Sequence, residues 1–218
     1  MDASAKEFLG EILTGLKGID YVKPEEIPNI DLYMDQVTSF MEKQLKSTKR
    51  YDEDKVLTKT MINNYTKNNL LPPPDKKKYS KEHLLILTFI YYFKNILTMK
   101  DIESLLKPIT DKYFHSESDI SIAHIYDEVC AFEKERTKLM QKDIESMYQQ
   151  SMETFPDVEG EDQEALRFFS FICSLSLDVY VKKLLIEKLI DQIPSAEKEE
   201  PKKDTEKEKD KEKDKKKK

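Results

Sequence analysis

Three consecutive prolines, Pro72 to Pro74, stand between two stretches whose apolar residues recur at helical spacing. Each proline lacks the N–H that a helix needs and clashes with the turn before it, so the segment LPPPDKKKY is extended. The chain holds only four Gly, three of them (Gly10, Gly15, Gly18) near its start. Hairpin turn signals are therefore almost absent. With apolar residues three or four apart nearly everywhere else, the fold class expected is all-α around one extended interruption.

The helices read as follows. Residues 1–20 form a short amphipathic helix with Phe8, Leu9, Ile12, Leu13 and Leu16 on one side, and Pro24 and Pro28 mark a linker. Asp31 is placed to cap a helix running to about Lys46. Thr58 caps a second, KTMINNYTKNN, with Ile62 and Tyr65 on its inner face. After the prolines, Ser80 caps a Leu-rich third helix, and Thr98 with Asp101 forms an approximate capping box for a fourth, MKDIESLLKPI. Beyond Ile109 the character changes. Residues 119–155 read as one long helix, in which Ile122, Ile125, Val129, Phe132, Arg136 and Leu139 alternate steps of three and four as in a coiled coil. A last helix, about 161–193, is apolar on nearly all sides at its start and is expected to be buried, within the chain or against another copy. From Ser195 the Lys/Glu/Asp repeat is expected to be disordered, since it has almost nothing apolar to bury.

Charge is unevenly spread. The net charge is -6, yet residues 37–110 carry fourteen bases against eight acids, while 111–194 carry nine against eighteen. At short range phosphates respond to local charge, because salt screens beyond ~10 Å. The length suits one substantial domain or two small ones. Two cysteines, Cys130 and Cys173, suggest no disulfide framework and are expected to be buried fillers. No signal peptide or membrane span is visible, so the chain is expected to be soluble and cytoplasmic. His83, His115 and His124 are dispersed without metal spacing and are expected at the surface. No nucleophile–base pair, acid pair or phosphate-cradling glycine loop is identifiable. A non-enzyme without a cofactor or metal is expected.

The stretch from Thr58 to Leu106 resembles the MerR-type winged helix-turn-helix. The matching elements are the capped helix Thr58 to Tyr65, the exit Leu70–Leu71–Pro72–Pro73, the basic wing Lys76–Lys77–Lys78, Tyr79–Ser80 leading into the Leu-rich helix, and Ile102 to Leu106. Two strings, Leu32–Tyr33–Met34–Asp35–Gln36 and Met61–Ile62–Asn63–Asn64–Tyr65, are similar to those of an uncharacterised bacterial family known only as a domain of unknown function. The MerR resemblance implies a winged helix domain over 28–110, followed by a helical dimerisation or sensing region at 111–194. It implies duplex DNA as partner, transcription regulation as the role, and a homodimer formed through the 119–155 helix; no small-molecule effector is defined. Asn63 stands where the MerR pattern usually has Arg, Asn64 where it has a second aromatic, and the wing is short and lacks Gly.

Chemistry gives a parallel reading. Lys59, Thr60, Asn63, Asn64 and Lys67 form a polar stripe opposite Ile62 and Tyr65. Asn pairs bidentately with adenine in the major groove. Lys76, Lys77, Lys78 and Tyr79 lie on the proline-stiffened loop, where they meet phosphates or simply solvent. The alternative function is a non-catalytic protein–protein adaptor on the same fold, which predicts an exposed apolar patch at that place.

Overall fold

The computed structural model describes Gly10 and residues 22–194. The helix expected at 1–20 and the charged tail from Ser195 lie outside the described residues, Gly10 apart. Six helices account for most of the rest: α1 (Met34–Gln44), α2 (Lys59–Lys67), α3 (Lys81–Phe93), α4 (Met99–Tyr113), α5 (Ile122–Ser151) and α6 (Gly160–Ile190). Two short strands, β1 (Leu32–Tyr33) and β2 (Lys78–Tyr79), pair antiparallel with Leu32 opposite Tyr79 and Tyr33 opposite Lys78. The chain is thus largely helical, with one small ribbon that the scarcity of turn signals hid.

The caps explain most boundaries. Thr58 Oγ1 accepts the Met61 N–H at 3.2 Å. Thr98 Oγ1 accepts the Asp101 N–H, and the Asp101 carboxylate accepts from Thr98 N–H and O–H. Asp31 does not cap α1. Residues 32–33 are drawn into the ribbon, so α1 starts later, with Tyr33 as its cap and Gln36 Oε1 accepting the Tyr33 N–H at 2.8 Å. α2 ends in a Schellman motif: Asn69 is left-handed (φ 56°), its N–H reaches Thr66 O, and the Leu70 N–H reaches Tyr65 O at 2.9 Å.

α3 is the axis of the core. Every residue from His83 to Tyr91 is buried, so the helix is enclosed on all sides. Val37, Met41 and Leu45, Ile62, Tyr65, Leu70 and Leu71, and Ile102, Leu106, Ile122 and Tyr126 belong to the same buried cluster. The core extends past both ends of the 28–110 segment. Val22 and Ile27 in the expected linker are buried, and the Tyr126 hydroxyl donates to the Val22 carbonyl at 2.6 Å. Tyr126 also packs on Phe89, with ring centroids 5.1 Å apart.

α5 and α6 form an antiparallel hairpin. Near its tip Tyr148 meets Phe171 edge-on, and the Arg167 Nε–H donates to the Thr154 carbonyl. At its base Ile190 returns to the core. The expected coiled-coil stripe on α5 is split. Ile122 is buried and Val129 packs on the core, whereas Phe132 and Leu139 are exposed. The last helix departs further from expectation. Only Phe171 and Ile190 of α6 are buried, because α5 and α4 cover one side of it and leave the other in water. No described helix is long and apolar enough to cross a membrane.

Candidate nucleic-acid interface

The polar stripe is formed as expected. Lys59, Thr60, Asn63, Asn64 and Lys67 are all exposed on α2, while Ile62 and Tyr65 anchor its other face in the core. The connection before α2 is long, and a charged clasp fixes it. Glu42 accepts from Lys49 Nζ at 2.7 Å and from the Val56 N–H at 3.3 Å, and the Lys49 ammonium holds its carboxyl below the usual range. Lys94 Nζ reaches in from the end of α3 to donate to the Val56 carbonyl at 2.8 Å. Burial lowers the Lys94 pKa, and its ammonium lies 4.7 Å from the Tyr91 ring centroid. Val56 and Leu57 are thereby held in the core immediately before the Thr58 cap.

The lysine triplet forms the tip of the ribbon. The Lys78 N–H donates to the Asp75 carbonyl at 2.8 Å, which closes a two-residue turn on Lys76 and Lys77. Both have positive φ, 46° and 66°. That is the backbone of a hairpin turn that ordinarily takes Asn-Gly. Left-handed backbone costs an L-residue with a long side chain roughly 1 kcal/mol. Replacing Lys76 by Asn and Lys77 by Gly together is therefore expected to stabilise the fold by about 1 kcal/mol in urea unfolding. Unchanged or lower stability would mean that the turn is not strained.

The tip and α2 are linked through the start of α1. Lys59 pairs with Asp35, two residues beyond Tyr33, and Tyr33 is the ribbon partner of Lys78. Lys78 Nζ lies 5.5 Å from the Tyr33 ring centroid. Tyr33 itself is 54% exposed and belongs to this surface, although in the sequence only its place in the Leu-Tyr-Met-Asp-Gln string marked it. Lys76 and Lys77 are exposed and Lys78 is half-buried.

Tyr79 does not belong to the surface. It is 3% exposed, because its place in the ribbon turns it inward, and its ring packs edge-on against His83 with centroids 5.4 Å apart. His83 is likewise not a surface histidine. It is buried, with Nδ1 accepting the Ser80 N–H at 3.0 Å and Nε2 lying 3.3 Å from the Pro73 carbonyl. The two contacts require a neutral ring with the proton on Nε2. Burial holds its pKa well below the ordinary range, at about 4. His83 thus ties the proline exit to the cap of α3 and fixes where the ribbon leaves the core. The signal that could have found it is the Ser80-x-x-His83 spacing of a capping box with His in the third position.

The remaining candidates do not converge on a site. His115 Nδ1 faces Glu82 at 3.0 Å, joining the end of α4 to the start of α3. Cys130 is half-buried and burial pushes its thiol up to about 11, which makes it a poor nucleophile. Cys173, expected to be buried, is exposed on α6. Among the described residues no group of three or more His, Cys, Asp or Glu is placed to hold a metal ion.

No curated protein and no solved structure matches the chain. A domain of unknown function, DUF1836, covers residues 22–129, from the buried Val22 to the part of α5 that packs on the core.

Proposed function

We propose that the protein is a sequence-specific DNA-binding transcriptional regulator. α2 lies in the major groove and the Lys76–Lys78 turn grips the phosphate backbone. The order helix, loop, helix, ribbon, helix supports the MerR-like winged helix-turn-helix reading of the sequence. The observation that carries the reading is the lysine pair at the ribbon tip, held in backbone that favours glycine and placed beside an exposed polar helix face. Local strain persists most often where a functional surface requires it. α2 also presents none of the large exposed apolar side chains that an adaptor would use there.

Asn64 is the residue assigned to base reading and Lys67 the one assigned to phosphate. Binding of the purified protein to random and genomic duplexes across a salt series tests the proposal. For roughly five phosphate contacts, log K is expected to fall with log salt at a slope of about −4 to −5. Asn64→Ala is expected to leave that slope unchanged and to cost about 1–3 kcal/mol at one base position of the preferred site. Folded protein that binds no duplex near physiological salt would overturn the reading. The adaptor would then take its place, a reading favoured by the pairing of Lys59 with Asp35, which offsets positive charge at the start of α2.

A further inference from the structure

The lysines of the proposed DNA surface are Lys59 and Lys67 on α2 and Lys76, Lys77 and Lys78 on the ribbon and its turn. Among the described residues, Lys59 alone of these has a carboxylate in ion-pair range, that of Asp35. Lys78 rests instead against the Tyr33 ring, which leaves its charge uncancelled. Asp75 adjoins Lys76 in sequence, but it serves the turn through its backbone carbonyl, and its carboxylate joins none of the described ion pairs.

The pair of Lys59 with Asp35 does little for the fold. Both side chains are well exposed, at 60% and 75%, and exposed pairs of this kind contribute little to stability. An acid in the first turn is what a helix dipole favours, so Asp35 also steadies the start of α1. The dipole does not call for that carboxylate to reach a lysine on a second helix. What the pair changes is the surface. It cancels the cation at the start of α2, the end of a reading helix that lies nearest the bases.

We infer, building on the DNA-binding reading above, that Asp35 is a brake on DNA affinity: its carboxylate competes with a backbone phosphate for the Lys59 ammonium. To meet a phosphate, Lys59 exchanges one oxyanion for another, and the displaced carboxylate then faces the same negative strand. A lysine already neutralised by its own protein adds nothing to the net release of counterions from the duplex, and so nothing to the salt slope. A second effect runs the other way, since the carboxylate also holds the ammonium in place. That gain is small, because Lys59 is long, exposed and held from one side only. Repulsion is the larger effect: two oxyanions on one ammonium lie within roughly 6 Å of each other, inside the ~8–10 Å over which salt screens. The brake acts on the part of binding that is blind to sequence, and it leaves a larger share of the affinity to base contacts such as that assigned to Asn64.

Duplex binding by the full chain over a salt series tests this, with Asp35→Asn, Lys59→Gln and the double variant beside the wild type. Asparagine keeps the size of the side chain and removes its charge. Asp35→Asn is expected to tighten binding to every duplex by about 5-fold near ~0.15 M salt and to steepen the slope of log K by about 1, the effect of one added phosphate contact. In the Lys59→Gln background the same change is expected to alter affinity by less than about 2-fold and to leave the slope alone. Asp75→Asn removes an acid from the ribbon without touching Lys59, and its effect is expected to be equal in both backgrounds. Urea unfolding of each variant shows that it is folded, and Asp35→Ser repeats the measurement with a second neutral residue suited to a helix start. A purely structural role for Asp35 would move the unfolding midpoint and leave the salt slope where it is, which overturns the inference. A gain from Asp35→Asn that persists in full without Lys59 also overturns it, since the acid then acts through the general field. Unchanged or weaker binding by folded Asp35→Asn overturns it while the DNA reading stands. No duplex binding by the folded wild type overturns the DNA reading, and the brake with it.

Discussion

Replacing Lys76, Lys77 and Lys78 together by Ala is expected to weaken binding to duplex DNA of any sequence by about 100-fold near ~0.1 M salt, and to flatten the salt slope by about 2 to 3. The loss is uniform because phosphate contacts position a protein without reading bases. The backbone of the turn survives the change: the bond that closes it runs from the Lys78 N–H to the Asp75 carbonyl, and alanine keeps that N–H. The substitution does remove the Lys78 ammonium from the face of the Tyr33 ring, an attraction worth about 0.5–1 kcal/mol at an exposed site. Stability measured beside affinity separates the two effects. Wild-type affinity and slope in a folded triple variant would remove the ribbon tip from the proposed interface.

His83→Ala is expected to have the largest effect on the fold, about 2–3 kcal/mol at neutral pH, because it opens a cavity and leaves the Ser80 N–H and the Pro73 carbonyl without their buried partner. The same residue sets a pH dependence. Burial holds the folded imidazole neutral down to about 4, while the unfolded chain takes up the proton at the ordinary value of 6.5. Between those values the unfolded state binds more protons, so the stabilisation is complete above 6.5 and is lost as pH falls toward 4. In urea unfolding, the stability difference between wild type and His83→Ala is expected to shrink by about 2 kcal/mol from pH ~7 to pH ~5. Comparing the two proteins at each pH cancels carboxylate titration common to both. A constant difference would mean that the ring takes up its proton at the same pH in the folded and the unfolded chain.

Local rules determined much of this molecule. The Thr58, Ser80 and Thr98 caps, the extended exit at the three prolines and the polar face of α2 opposite Ile62 and Tyr65 are all set by neighbours a few residues apart, so the chain displays them without its fold. Other features depend on residues far apart in sequence. β1 formed because Leu32 and Tyr33 meet Lys78 and Tyr79 across more than forty residues, and that pairing displaced the cap from Asp31 to Tyr33. It also turned Tyr79 inward and made Lys76–Lys77 a left-handed turn, which no composition of that segment announces. The Ser80-x-x-His83 spacing offers a cap for α3, but the burial of His83 was decided only where the proline exit came to lie over it.

The clearest division concerns the C-terminal half. Periodicity identified two long helices there, and the apolar composition of the last one identified it as a surface to be buried. Which surface covers it is a matter of tertiary geometry. α5 gives its first turns to the core and α6 touches the core only at its end, so the two helices project as a hairpin and leave one face of α6 in water. Hydrophobicity fixes that a side chain seeks cover, but the effect has no direction; only the placement of the rest of the chain decides whether that cover is internal or must come from outside.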